Sequence, residues 1–324
     1  MDFRQTLEAA GLLPKDIVAD GAWHRCKTVD HLKKLNGSYK LFADGRTGLL
    51  QNHATMSEVA TWRAGTDSVQ PIISQAQIQA KQNEARRNLI QATQAARKFW
   101  YACKPIRFGH SYLTEKLLSM AGCDGLRIDA DGWLVVPVMF DGNLISVQRI
   151  APDGTKRFWS GASVKGGSYI IQPTRFSMTA LCEGLATGLA VYQCLPDCRV
   201  IVTFDCGNMV EVSKRLSIHG LSVIAADNDH KTFEKIGKNP GIDHGTEAAK
   251  QIKCGIAWPT GINGSDFADQ LKEFTLIARA ANDDAPRREQ LRDSELQKMV
   301  AQQIAREIKR ACKFVPHKIS KGAT

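Results

Sequence analysis

Thr179-Ala180-Leu181-Cys182-Glu183-Gly184-Leu185-Ala186-Thr187-Gly188-Leu189-Ala190 is the stretch that decides the fold. A short, mostly apolar run ends in an acid, a glycine turns the chain, and a helical pattern begins. Leu221-Ser222-Val223-Ile224-Ala225-Ala226-Asp227-Asn228-Asp229 is built the same way and ends in Asp-x-Asp. Both read as buried strands of a parallel sheet, whose carboxyl ends converge on one crevice. Glu183, Asp227 and Asp229 held there would repel one another. Mg²⁺ takes oxygen ligands and keeps several waters, so it removes that repulsion. Such a site orients phosphates and stabilises charge in phosphoryl transfer.

The pattern extends outward from these two strands. Between 178 and 275 the sequence predicts strand Thr179–Cys182, helix Thr187–Gln193, strand Val200–Phe204 and helix Val210–Leu216. Strand Ser222–Ala226, a long polar loop, helix Gly245–Lys253 and strand Gly255–Trp258 follow. Alternation of this kind implies an α/β domain with a parallel, Rossmann-like sheet. Asn263-Gly264-Ser265-Asp266-Phe267-Ala268-Asp269 comes next, and Asp266 and Asp269 are candidates to support a second metal. Asp205, also at a strand end, is a weaker candidate. Each acid has a plain structural alternative: Glu183 capping the following helix, Asp227 and Asp229 in a turn, Asp266 as N-cap of a helix over 267–273.

Four other segments surround residues 178–275, making the whole chain a mixed α+β protein. Residues 1–66 read as a small β-rich module, with turn signals at Asp20-Gly21, Asn36-Gly37 and Asp44-Gly45 between short strands at 22–27, 38–42 and 48–51. His24, Cys26 and His53 lack the paired spacing of a four-ligand zinc site, so zinc is not expected. Residues 67–104 form a helical connector, rich in Gln, Ala, Lys and Arg. Residues 105–177 form a basic subdomain, with a helix expected at 113–121 and strands at 133–140 and 144–150 around Asp141-Gly142-Asn143. Basic residues alternate there with aromatics and glycines in Lys156-Arg157-Phe158-Trp159 and Lys165-Gly166-Gly167. That pattern suits phosphates and bases, and equally a strand edge guarded by lysine. Residues 276–324 are a basic carboxy-terminal helix and tail. Leu296, Met299, Val300, Ile304 and Ile308 stripe one face of that helix, and a flexible end is expected after Pro316.

The net charge of the 324 residues is +10. Residues 287–324 carry ten Lys and Arg against four acids, so more than half of that excess lies in this stretch. A polyanionic partner fits this balance. Nine cysteines are scattered without a Cys-x-x-Cys pair and read as free thiols. The longest apolar runs are too short to span a bilayer, and the start lacks a signal peptide's order. A soluble, cytoplasmic protein without membrane association is expected. Gly-x-x-x-x-Gly-Lys-[Ser/Thr] is absent, so a P-loop motor is not expected.

Glu-Gly-x-x-Thr-Gly-Leu-Ala at 183–190, Asp-x-Asp at 227–229 and Ser-Asp-Phe-Ala-Asp at 265–269 resemble the Toprim domain of topoisomerases, DnaG-type primases and some nucleases. Residues 132–138, Gln148-Arg149, Asp153-Gly154-Thr155-Lys156-Arg157-Phe158 and 165–169 look like the basic subdomain that precedes Toprim in DnaG-type primases. With the Trp-His-Arg-Cys and Gly-Ser-Tyr-Lys pieces of 22–52, the combination is most similar to primases of conjugative plasmids and phages. The resemblance implies a nucleotidyltransferase: Mg²⁺- or Mn²⁺-dependent, DNA-templated synthesis of short RNA primers for plasmid or phage DNA replication. Its partners would be single-stranded DNA, ribonucleoside triphosphates and a separate replicative helicase. Glu183, Asp227 and Asp229 would be catalytic and metal-binding, with Asp266 and Asp269 supporting. Arg149, Lys156, Arg157, Lys165 and, more weakly, Arg127 would hold nucleotide and template phosphates. The alternatives are a Toprim-type metal-dependent nuclease and a non-catalytic single-stranded DNA-binding protein.

Overall fold

The computed structural model describes residues 2–65 and 75–316, and the chain divides into two units, Met1–Gln82 and Asn83–Thr324. In the first, helix α1 (Phe3–Ala9) precedes strands β1 (Leu12–Leu13), β2 (His24–Thr28), β3 (Gly37–Leu41), β4 (Thr47–Asn52) and β5 (Ala60–Arg63). The strands form one antiparallel sheet in sequence order. A capping box between Asp2 and Gln5 starts α1. Its Phe3 and Leu7 pack with Leu12, Cys26, Tyr39 and Leu50. The three expected strands are found within two residues. Cys26 lies in this core, His24 bonds Asp20 at 2.9 Å, and His53 bonds Arg25 at 2.8 Å.

Helix α2 (Gln75–Ala102) leads into the second unit. A second sheet follows, made of β6 (Lys104–Pro105), β7 (Arg127–Ile128), β8 (Leu134–Phe140), β9 (Asn143–Ile150) and β10 (Lys156–Phe158), with α3 (Ser111–Glu115) between β6 and β7. It is antiparallel, in the order β10-β9-β8-β7-β6. The helix expected over 113–121 stops at Glu115 because Leu117 takes a left-handed φ of 56°. That bend lets Leu118 join the core.

The third sheet contains β11 (Tyr169–Ile171), β12 (Met178–Cys182), β13 (Cys198–Val202), β14 (Gly220–Ala225), β15 (Gly255–Ala257) and β16 (Lys313–Val315). Helices α4 (Leu185–Cys194), α5 (Cys206–Arg215), α6 (His230–Ile236), α7 (Pro240–Ile252), α8 (Phe267–Asp283) and α9 (Asp293–Ala311) complete the unit. Strands β12 to β15 are parallel in the order β13-β12-β14-β15. Strand β11 adds antiparallel to β13, and β16 antiparallel to the start of β14. The pleat divides the core between the two faces. Ala180, Cys182, Val200 and Val223 face α4, α8 and α9, whereas Leu181, Ile201 and Ile224 face α5 and α7. Leu296, Val300, Ile304 and Ile308 of α9 are buried, while Met299 is exposed. The long polar loop after β14 contains α6, whose residues are all at least partly exposed. The expected flexible end lies outside the described residues, as does part of the connector.

Candidate active site

Strand order locates the crevice. The chain passes from β12 to β13 on one side and then to β14 on the other, so its direction of travel reverses between β12 and β14. Ligand crevices of open α/β sheets lie at such reversals, outside the strands' carboxyl ends. Cys182 pairs with Ala225, which sets Glu183 level with Ala226 and one residue short of Asp227. Glu183 is not a helix cap, because the N-cap of α4 is Gly184.

Asp227 is held by Thr187, whose hydroxyl donates to its Oδ1 at 3.3 Å. Gly241, in the first turn of α7, lies against the Asp227 backbone so closely that a Cβ there would overlap its carbonyl. The Asp229 N–H donates to Asn239 Oδ1 at 3.0 Å, and its carboxylate accepts from Gly241 N–H at 2.9 Å. Asn228 fixes the loop, donating to the carbonyls of Ser265 at 2.7 Å and Pro259 at 3.1 Å. A cleft of about 290 Å³ opens beside Asp229, lined also by His230, Ser265 and Asp269.

The acids feel one another. Burial, then the charges of Asp229 and Asp205, push the Glu183 carboxyl up to about 7 against the opposing pull of Lys156. Burial, then Asp266, Glu183 and Asp229, push Asp227 up to about 8. Asp266 is raised by burial, although Lys116 opposes the shift. Asp269 goes the other way: burial is outweighed by the Ser265 N–H and by Lys116.

Asp266 caps α8, accepting from Asp269 N–H at 2.8 Å. Lys116, at the end of α3, reaches Asp269 at 3.0 Å and Asp266 at 3.9 Å. Asp205 caps α5 through Asn208 N–H at 2.7 Å. Thr187 stood in the motif at 183–190 without a role, and Lys116, Asn239 and Gly241 were not marked out by the sequence. Their types are ordinary, and only the fold brings them to the acids.

The five basic candidates separate into three groups. Lys156 comes near the acids without pairing with one: its Nζ lies about 3.8 Å from where a Gly184 Cβ would sit, and its charge opposes the upward shifts of Glu183, Asp227 and Asp266. Arg157, next on β10, lies over the Trp133 ring at 5.7 Å. Lys165 pairs with Glu211 at 3.5 Å, beside a cleft of about 320 Å³ that Asp205 and Asn208 also line. Arg149 and Arg127 are engaged within the protein. Arg149 pairs with buried Asp129 at 2.6 Å and lies over Trp133 at 4.6 Å. Arg127 donates to the carbonyls of Trp100 and Cys103, closing the end of α2.

Phe204 follows β13 with a left-handed φ of 74°, uncommon for a bulky residue. Its N–H donates to the Glu183 carbonyl at 2.7 Å. Its ring meets that of Phe158 edge-on at 6.0 Å.

Among the described residues no three or more acidic, histidine or cysteine side chains form a ready metal cage. The acids nevertheless suit a hydrated divalent ion. Mg²⁺ takes one or two carboxylates, substrate phosphates and several waters rather than a closed cage, and the charge on Glu183 and Asp227 is incompletely balanced.

No family model matches the chain. It is 28% identical over 281 residues to the DNA primase TraC of Escherichia coli, a match covering 80% of this chain. The chain spans about a quarter (26%) of that relative's length. The likeness to primases of the plasmid and phage group, read first from motifs, is thus found again over most of the sequence. Two bacteriophage T7 structures show a looser likeness. The primase fragment of the T7 primase-helicase aligns with TM-score 0.37 and 15% identity, over 52% of this chain and 73% of its own. A T7 lagging-strand polymerase structure, with primase domains bound to an RNA/DNA hybrid, aligns with TM-score 0.37 and 16% identity, over 54% and 88%. No helix among the described residues is long and apolar enough to cross a membrane.

Proposed function

We propose that this chain contains the catalytic core of a DNA primase, which joins ribonucleotides on a single-stranded DNA template. One observation carries the reading: Glu183, Asp227 and Asp229 converge at the sheet's reversal point with Lys156 facing them. The 28% identity to a DNA primase over 80% of the chain supports it.

Glu183, Asp227 and Asp229 would hold Mg²⁺ or Mn²⁺, which when bound neutralises triphosphate charge. The chain's own groups do the rest. Lys156 lies beside Gly184, close enough for the acids to feel its charge, and its ammonium would take a phosphate oxygen and stabilise developing charge. Thr187 and Gly241 hold the two aspartates in place before substrate arrives, so little reorganisation remains. Arg157 and Lys165, both exposed, are left to contact template phosphates. Arg149 and Arg127 shape the subdomain that carries them. A separate helicase remains a candidate partner.

The test combines single-stranded DNA, four ribonucleotides and Mg²⁺ or Mn²⁺ on a denaturing gel. Short ribonucleotide-dependent products are expected, abolished by Asp227→Ala or Asp229→Ala. Template degradation with metal alone would replace this reading with a nuclease. Template binding without products, unchanged in both variants, would replace it with a binding protein.

A further inference from the structure

We propose that Lys116 is a built-in cation at the Asp266–Asp269 end of the acid cluster, leaving Glu183, Asp227 and Asp229 as the seat of a single divalent ion. The inference rests on the metal-dependent reading above and adds the number of ions and the role of a lysine.

The carboxylate oxygens carry it. Asp266 Oδ1 accepts from Asp269 N–H at 2.8 Å, and its Oδ2 lies 3.9 Å from Lys116. Asp269 Oδ1 accepts from Lys116 at 3.0 Å, and its Oδ2 from Ser265 N–H at 3.1 Å. All four oxygens therefore already face a protein donor or cation. The other acids differ. One oxygen of Asp227 is met by Thr187 and one of Asp229 by Gly241. Among the described residues the Glu183 carboxylate has no hydrogen bond or ion pair. Asp266 and Asp269 thus have a protein cation beside them, whereas Asp227, Asp229 and Glu183 have none within ion-pair distance among the described residues.

Lys116 is placed there by local structure. It is the C-cap of α3, just before the left-handed turn at Leu117, and Leu113 and Leu118 anchor the segment in the core on either side. Only a quarter of its side chain is exposed. Tyr112, on the same helix, is 4% exposed and its buried hydroxyl has no partner among the described residues. It lies within the field of Asp266, Asp269 and Asp227.

Mn²⁺ alone, added to the full chain and counted by electron paramagnetic resonance and equilibrium dialysis, tests this. One ion per chain is expected for the native protein and for Lys116→Arg. Lys116→Met should gain a second ion, or bind it at least tenfold more tightly. Asp269→Asn should leave the count at one, because Asp269 is no ligand; this variant decides the matter if Lys116→Met fails to fold. Two equally tight ions in the native protein, or loss of the ion in Asp269→Asn, would overturn the proposal. A folded Lys116→Met binding as the native protein does would overturn it too. Asp227→Asn is the separate control: an unchanged count there would sink the metal seat itself, whatever Lys116 does.

Discussion

Raising the pH of the metal-free protein should destabilise it through Asp227, and Asp227→Asn should abolish most of that loss. Burial and three neighbouring acids push the Asp227 carboxyl from an ordinary 3.8 up to about 8. The folded state therefore keeps a proton that the unfolded chain has released. The associated stability is fully present below the unfolded value and is lost as pH rises through about 8. Each pH unit in that window removes about 1.4 kcal/mol for one excess proton. Between pH 6 and pH 9 the loss from Asp227 is about 3 kcal/mol, and Glu183, raised to about 7, adds about 1 kcal/mol. Urea denaturation followed by circular dichroism in a chelator would show this as a fall in midpoint of about 1 M or more. Asparagine has nothing to ionise at 227, so only the smaller Glu183 share should remain and its midpoint should move far less. Mg²⁺ should recover stability at pH 9 and do much less at pH 6, where it competes with protons. Equal pH dependence in native and Asp227→Asn proteins would refute the electrostatic account of the cluster, as would indifference to Mg²⁺ at pH 9.

Lys156→Ala should cut primer yield more deeply than Lys165→Ala, because the charge of Lys156 acts on the acids and Lys165 pairs with half-buried Glu211; gel quantification compares them. Where either lysine binds a template phosphate, its removal should flatten the log–log salt dependence of single-strand binding by roughly 0.7. Arg149→Ala should cost about 3 kcal/mol in urea denaturation, since it leaves Asp129 buried and without its cation. Ile304→Ala should cost about 3 kcal/mol by the same measurement. Truncation after Pro286 should therefore unfold the second unit rather than only weaken DNA binding, with loss of its cooperative transition as the readout.

The central strands were legible because an apolar run ending in an acid has few other uses. Their pairing order was not, since nothing local tells β13 from β14 as the neighbour on a given side of β12. Strands β11 and β16 are three residues each and exist only through their partners, so no periodicity marks them. Helix α6 buries no residue, which left it reading as loop. The apolar stripe of α9 gave away its buried face, apart from Met299. The arginines show the limit most plainly. Composition cannot separate Arg149, spent on a buried aspartate, from Lys156, turned toward the acids. Lys116 had no signal at all, because its partners lie on the far side of the domain in sequence.

The edge contact between Phe158 and Phe204 acts as an indexing pin. Lys156 and Phe158 project from one face of β10 and Arg157 from the other, over Trp133. A slip of this three-residue edge strand by one position would exchange the faces, swinging the lysine outward and presenting the guanidinium to the acids. Phe204 holds its ring in place from a backbone conformation that a bulky residue rarely takes. Relaxing that residue to glycine would ease the backbone and, by the same act, unlock the strand that decides which cation lies toward the acids.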